Sequence, residues 1–146
     1  MKPAILILCI GNSCRSQMAE GLLRAAAGDR VDVFSAGARP AGMVQPRAIQ
    51  VLKELGLDIS SQRSKSMNEF IHQRIDVVIT VCGDNDACPV FPGQMARHHW
   101  PFTDPTHFKG TDEEILSEFR RVRDQMKRVF DAYAAGLGDG SRLLKV

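Results

Sequence analysis

An unbroken apolar run, Ala4-Ile5-Leu6-Ile7-Leu8, lies close to the start of the chain. A run of strand length with no polar alternation predicts a strand buried on both faces. From Gln17 to Ala27 the period becomes helical, with Met18, Leu22 and the Ala25–Ala27 run on one side and Gly28-Asp29 closing it. Val31–Ser35 alternates as a second strand, and Ala36–Gly42, with Gly37, Pro40 and Gly42, reads as loop. Pro46 suits a first helical turn, Ala48, Leu52 and Leu55 follow at helical spacing, and Gly56-Leu57 has the form of a C′ glycine with its apolar follower. Ser60–Ser66 is polar loop and Met67–His72 a short helix. Asp76–Val81, rich in β-branched residues, is the third strand. Gly83–Gly93 is a long polar loop whose Gly83, Asp84, Asn85 and Asp86 predict flexibility, and His99–Phe102 holds a short fourth strand. Asp112–Ala135 is the longest helix, with Ile115, Phe119, Val122, Met126, Val129 and Tyr133 as its core stripe. Residues 136–146, with Gly136, Gly138 and Gly140, predict a loosely ordered tail.

Strands alternating with helices predict a single α/β domain whose parallel sheet is covered on both faces. The length, 146 residues, suits one domain, and no internal repeat or linker divides it. A net charge of +2 argues against nucleic acid and against an anionic membrane surface as partners. The basic cluster Arg120, Arg121, Arg123, Lys127 and Arg128 is interleaved with Glu118 and Asp124, as on a solvated helix face. No apolar run approaches the ~20 residues of a membrane span, and the first residues lack the flanks of a signal peptide. A cytoplasmic monomer is expected. Its four cysteines then read as reduced, catalytic or metal-binding rather than as a permanent disulfide framework.

The densest chemistry is Cys9-Ile-Gly-Asn-Ser-Cys-Arg15, placed where the first strand ends and the first helix begins. Strand, tight loop and helix N-terminus in that order build a cradle for a tetrahedral oxyanion, with N–H groups of Gly11, Asn12, Ser13 and Cys14 aimed inward. Gly11 is expected to supply a positive-φ turn, with Asn12 and Ser13 as polar braces. The same positive potential favours the thiolate form of Cys9. Arg15 can grip two anion oxygens at once, which Lys does less well. Ligands of such sheets bind beyond the strand C-termini, so Cys9 and Cys82, both at strand ends, are expected on one rim. Cys82 also reads as a small buried hydrophobe, and Cys82, Cys88, His98 and His99 as zinc ligands. The zinc spacing matches no common motif, and no metal is expected.

The run Cys9-Ile-Gly-Asn-Ser-Cys-Arg-Ser-Gln-Met-Ala-Glu-Gly21 resembles the thioredoxin-coupled arsenate reductases, which share their fold with the low-molecular-weight protein tyrosine phosphatases. Phe34-Ser-Ala-Gly37, Val81-Cys82, Cys88-Pro89, His99-Trp100 and Asp104-Pro105 extend the resemblance along nearly the whole chain. It implies a four-stranded parallel sheet flanked by helices. It also implies Cys9 as nucleophile on arsenate, Arg15 and the loop N–H groups as oxyanion holders, Ser16 as hydrogen-bond donor to the thiolate and Asp104 as general acid. By the same resemblance Cys82 attacks the Cys9–arsenate adduct and Cys88 then takes over the oxidation as a Cys82–Cys88 disulfide. External thioredoxin reduces that pair, with no tightly bound cofactor. Phosphate or sulfate would compete with arsenate. Cys14 has no place in this relay. Some members of the family bind potassium beside the loop through positions corresponding to Asn12, Glu20, Ser35 and an acidic residue between 60 and 66. Here Lys65 takes the acidic position, and its ammonium can replace the ion, so no potassium is expected. The alternative reading is a tyrosine phosphatase working through a Cys9 phosphoenzyme, which would leave Cys82 and Cys88 without a task. A non-catalytic oxyanion sensor would leave Asp104 unused as well.

Overall fold

The computed structural model describes residues 1–84 and 86–144. β1 (Ala4–Cys9), β2 (Asp32–Gly37), β3 (Val77–Thr80) and β4 (Ala96–His99) form one parallel sheet in the order β2-β1-β3-β4. Its main helices are α1 (Arg15–Ala27), α2 (Pro46–Lys53) and α3 (Asp112–Gly136).

The apolar run of β1 is unbroken because alternate residues enter different cores. Ile5, Ile7 and Cys9 join Met18, Leu22 and Leu23 of α1, Ala48, Val51 and Leu52 of α2, and Phe119, Val122, Met126 and Phe130 of α3. Ala4, Leu6 and Leu8 join Phe70, Ile75, Val78 and Phe91 on the opposite face. Helices stand on both faces, but unequally. Three α-helices cover one, while a single 3-10 turn, Met67–Phe70, helped by loop residues Phe91 and Met95, covers the other. Each fully buried Leu or Ile side chain contributes about 1.5–3 kcal/mol.

Local chemistry places the ends of the elements. Pro46 starts α2, and Gly56, at φ +79°, lets the Leu57 N–H reach back to the Leu52 carbonyl. Thr111 and Glu114 form a reciprocal capping box at the start of α3. The α3 stripe drifts around the axis. Phe119, Val122, Met126, Phe130 and Ala134 are buried, whereas Ile115, Val129 and Tyr133 pack from its margins.

Strand boundaries differ from the sequence expectation where pairing, not hydrophobicity, decides them. β4 lies at 96–99 instead of 99–102. Its register pairs Ala96 with Val77 and His99 with Thr80; beyond it the pairing slips, with the Trp100 N–H on the Thr80 carbonyl (2.9 Å) but the Phe102 N–H on the Val81 carbonyl (3.3 Å), so the regular ladder ends. As a partly exposed edge strand it has no need of the apolar pattern used to find it. β2 runs on to Gly37 because Ala36 and Gly37 pair with Leu8 and Cys9. The described part of the C-terminal segment is anchored. Leu137 is buried, and Arg30 donates to the carbonyls of Ala134 and Gly138. Residues 145 and 146 lie outside the described residues.

The chain leaves β1 toward β2 on one side and later returns to β3 on the other. The crevice beyond the C-terminal ends of β1 and β3 is therefore the ligand position of such a sheet. No described helix is long and apolar enough to cross a membrane.

Candidate active site

β1 ends at Cys9 and α1 begins at Arg15, so residues 10–14 form the loop between them. The backbone faces of this loop are sorted. The carbonyls of Ile10, Gly11 and Ser13 accept hydrogen bonds from the N–H groups of Arg39, Ala41 and Gln45. The N–H groups of Gly11, Asn12, Ser13 and Cys14 have no acceptor among the described residues. Backbone N–H groups left without a partner beside a helix N-terminus are the kind of donors that can hold an anion.

The positive-φ residue of this loop is Asn12, at φ +47°, and not Gly11. Asparagine tolerates this region when its side chain is fixed by hydrogen bonds. Asn12 Nδ2 donates to Ser16 Oγ (2.8 Å) and Ser35 Oγ (3.0 Å), and its Oδ1 accepts from Gln17 Nε2 (2.9 Å) and the Lys65 backbone N–H (3.0 Å). The direction of this network reaches Cys9. Because Ser16 Oγ accepts from Asn12, its own proton is free for Cys9 Sγ, 3.2 Å away. Ser35 likewise accepts from Asn12 and donates to Glu20 Oε1 at 2.6 Å.

Arg15 is almost wholly buried, with one face on the cavity. Its Nη1 donates to the Phe102 carbonyl (3.1 Å) and to Asp86 Oδ2 (2.8 Å), and its Nη2 lies 3.5 Å from Asp104 Oδ2. Asp104 precedes a 3-10 turn started by Pro105, and its Oδ1 accepts from the backbone and hydroxyl of Thr106. His107 Nε2 stands 3.3 Å from Asp104 Oδ2. Cys9, Gly11, Ser13, Cys14, Arg15, Asp86, Asp104, Thr106 and His107 line one cavity of about 180 Å³. That is below the ~300–1,000 Å³ of pockets that enclose organic ligands and suits a small oxyanion. Burial, with Asp104 and Cys9 adding to it, pushes the Cys14 thiol well above its ordinary range, so Cys14 is a neutral thiol in the cradle wall.

Cys82 lies just beyond β3 and is fully buried, and its sulfur is joined to that of half-buried Cys88 in a disulfide with a Cα–Cα separation of 5.8 Å. Cys9 and Cys14 are free thiols. With Cys82 and Cys88 engaged on each other, neither is placed as a zinc ligand, and no group of three or more metal-ligating side chains occurs among the described residues. The loop between the two cysteines is less free than its composition suggests. Asp86 is held by Arg15 and by the Gly83 N–H (2.7 Å), and Asp84 Oδ1 lies 3.2 Å from His99 Nε2. Asn85 lies outside the described residues.

The positions linked by resemblance to a potassium site hold a cation belonging to the chain. Lys65 Nζ lies 3.7 Å from Glu20 Oε1 and donates to the Arg63 carbonyl at 3.1 Å. Burial lowers the Lys65 pKa, with Glu20 working against it.

The sequence pattern assigns no site role to four residues that the structure places at the site. Gln17, fully buried, ties the loop to the Arg63 carbonyl; Asp86 engages Arg15; Thr106 and His107 flank Asp104. A glutamine in the first turn after the loop was a legible signal for Gln17. Nothing local marked Asp86, which is brought to Arg15 across 71 positions of sequence.

A four-stranded parallel sheet with Cys-x5-Arg at its rim defines a class. The chain belongs to the low molecular weight phosphotyrosine protein phosphatase family, whose model matches residues 4–142. It is 46% identical over 134 residues to an arsenate reductase of Halalkalibacterium halodurans, covering 91% of this chain and 96% of that relative. A solved arsenate reductase in the phosphate binding state superposes with a TM-score of 0.76 at 35% identity, covering 93% of this chain and 98% of its own. A thioredoxin-dependent arsenate reductase of Corynebacterium glutamicum superposes with a TM-score of 0.61 at 30% identity, covering 90% of this chain and 63% of its own.

Proposed function

We propose that this chain reduces arsenate to arsenite by a relay of three cysteines, with thioredoxin as external reductant. The observation that carries the reading is the Cys82–Cys88 disulfide beside a Cys-x5-Arg cradle whose own cysteine is free. A phosphatase cycle, completed by water, has no use for such a pair.

Arsenate enters the cradle, its oxygens held by the N–H groups of Gly11 to Cys14 and by Arg15. The Cys9 thiolate, supported by the Ser16 hydroxyl, attacks arsenic and displaces one oxygen, which leaves as water with a proton from Asp104. The Cys82 thiolate attacks Cys9 Sγ. The sulfur–arsenic electron pair stays on arsenic, which leaves as arsenite, and a Cys9–Cys82 disulfide remains. The Cys88 thiolate then attacks Cys82 Sγ and releases the Cys9 thiolate. The structure joins the same pair, Cys82 and Cys88, in a disulfide, which supports this last step. Thioredoxin attacks it through a mixed disulfide and takes the oxidation away. Half-buried Cys88 lines a groove of about 320 Å³ with Pro89, Val90 and His99, and there a partner thiol has access that Cys82 denies. Phosphate and sulfate compete for the cradle. A reducing cytoplasm is the compartment for this chemistry, and one monomer supplies every residue of the relay.

The test is NADPH consumption with arsenate, thioredoxin and thioredoxin reductase, using wild type and Cys88→Ser. Turnover that requires both arsenate and Cys88 is the expected result. Hydrolysis of an aryl phosphate without arsenate turnover would overturn the reading in favour of a phosphatase, and activity restored only by glutaredoxin with glutathione would replace the partner.

A further inference from the structure

Arg15 already holds a carboxylate. Asp86 Oδ2 sits 2.8 Å from Arg15 Nη1, and Asp86 lines the same cavity as Cys9. A carboxylate and a tetrahedral oxyanion present similar paired oxygens to a guanidinium, and both are anionic. An incoming dianion therefore meets an Arg15 that is partly engaged and a like charge at the cavity wall.

Asp86 sits inside the segment that the Cys82–Cys88 disulfide closes into a short ring. Within that ring the Asp86 N–H donates to the Gly83 carbonyl (3.0 Å), the Cys88 N–H to the Asp86 carbonyl (2.9 Å), and the Gly83 N–H to Asp86 Oδ2 (2.7 Å). The oxygen that engages Arg15 is thus the one pinned by the turn at the start of the ring. Arg15 also holds the Asp86 carboxyl below the usual carboxylate range, with burial opposing it, so the group is anionic across the neutral range.

We infer that Asp86 is a built-in carboxylate competitor for the oxyanion cradle, held on Arg15 when Cys82 and Cys88 are joined and withdrawn when they are reduced. The inference rests on the reading of Arg15 as an oxyanion holder. Its consequence is chemical. With Cys82 locked in a disulfide, a Cys9–arsenate adduct has no resolving thiol. A cradle that binds oxyanion poorly in that state keeps Cys9 from a dead-end reaction until the reductant has acted. Linkage makes the effect reciprocal, so an oxyanion that prefers the reduced form also makes the disulfide easier to reduce.

The experiment is calorimetric titration of inorganic phosphate into full-length wild type and Asp86→Asn. Each is taken fully reduced and as the Cys82–Cys88 disulfide form, the latter verified by two remaining titratable thiols. Asn keeps an acceptor for the Gly83 N–H while removing the charge, so the turn is retained. Wild type is expected to bind phosphate about tenfold more weakly when oxidised. In Asp86→Asn the two forms are expected to agree within about threefold, through tighter binding by the oxidised form. As a second readout, saturating phosphate should raise the midpoint potential of the Cys82–Cys88 pair by about 30 mV in wild type, which is tenfold for a two-electron couple, and by less than half of that in Asp86→Asn. A role in loop structure alone would leave the phosphate-induced shift equal in both proteins. Equal affinities in the two wild-type forms, or a tenfold difference that persists in Asp86→Asn, would overturn the inference and leave the cradle intact. Absence of phosphate binding even by reduced wild type would overturn the oxyanion reading, and the inference with it.

Discussion

Gly37→Ala tests whether the end of β2 shapes the cradle. A Cβ at Gly37 would lie 2.5 Å from the Ile10 carbonyl oxygen, 3.0 Å from the Asn12 backbone nitrogen and 3.1 Å from Asn12 Cβ. All three atoms belong to the loop, and the two closest are backbone, so no rotamer change relieves the contact. To regain an ordinary separation of about 3.5 Å the loop must retreat from β2 by roughly 1 Å. Overpacking of this kind costs about 1–3 kcal/mol, against a gain of roughly 0.4–1 kcal/mol from a stiffer unfolded chain. The net loss, between about 0 and 2.6 kcal/mol, corresponds to a Tm lowered by up to roughly 10 °C for a chain of this size. Gly11→Ala, in the same loop, is the stability comparison. The nearest atoms to its Cβ stand at 3.7 Å or beyond and its φ is not positive, so its Tm should stay close to wild type. The assays are scanning calorimetry and phosphate titration of reduced protein. A shifted Ile10–Asn12 segment misaims the cradle N–H groups, so Gly37→Ala should also bind phosphate at least several-fold more weakly. A Gly37→Ala protein equal to wild type in both Tm and phosphate affinity would refute the argument that this close approach positions the loop.

Lys65→Gln should lower stability by about 1–3 kcal/mol, because Glu20 loses a charged neighbour in a buried network. Wild type should show the same Tm in potassium and in sodium at equal ionic strength, and a potassium-specific rise would contradict the placement of the Lys65 ammonium. Glu54, bonded by Arg120 and by Arg123, has its pKa lowered from 4.5 to about 2 in the folded chain. A depressed carboxylate pKa contributes stability that is present above about pH 4.5 and lost as the pH falls toward 2. Glu54→Gln should therefore show a shallower fall of Tm with acid across that window than wild type does, and parallel curves would count against the ion pairs joining α2 to α3.

Much of this protein was legible as a linear pattern because the relevant physics is local. The apolar run of β1, the helical period of α1 and α3, and Pro46 with Gly56 around α2 are set by neighbours within a few residues. The Cys-x5-Arg loop was legible for the same reason: strand, loop and helix N-terminus are contiguous, so Cys9, Arg15 and Ser16 start out close along the chain, while contacts from Ser35, Lys65 and residues 37–45 fix the loop's shape. What the tertiary structure decided involved partners distant in sequence. The β4 boundary depended on pairing with β3, which lets polar residues form an edge strand. The strained position fell to Asn12 instead of Gly11 because Ser35 and Lys65, arriving from other segments, lock its side chain. Asp86 looked like one acid in a flexible loop. Its role is set by Arg15 across 71 positions and by the Cys82–Cys88 ring, and no local preference encodes a contact that exists only once the sheet has brought both strand ends to one rim.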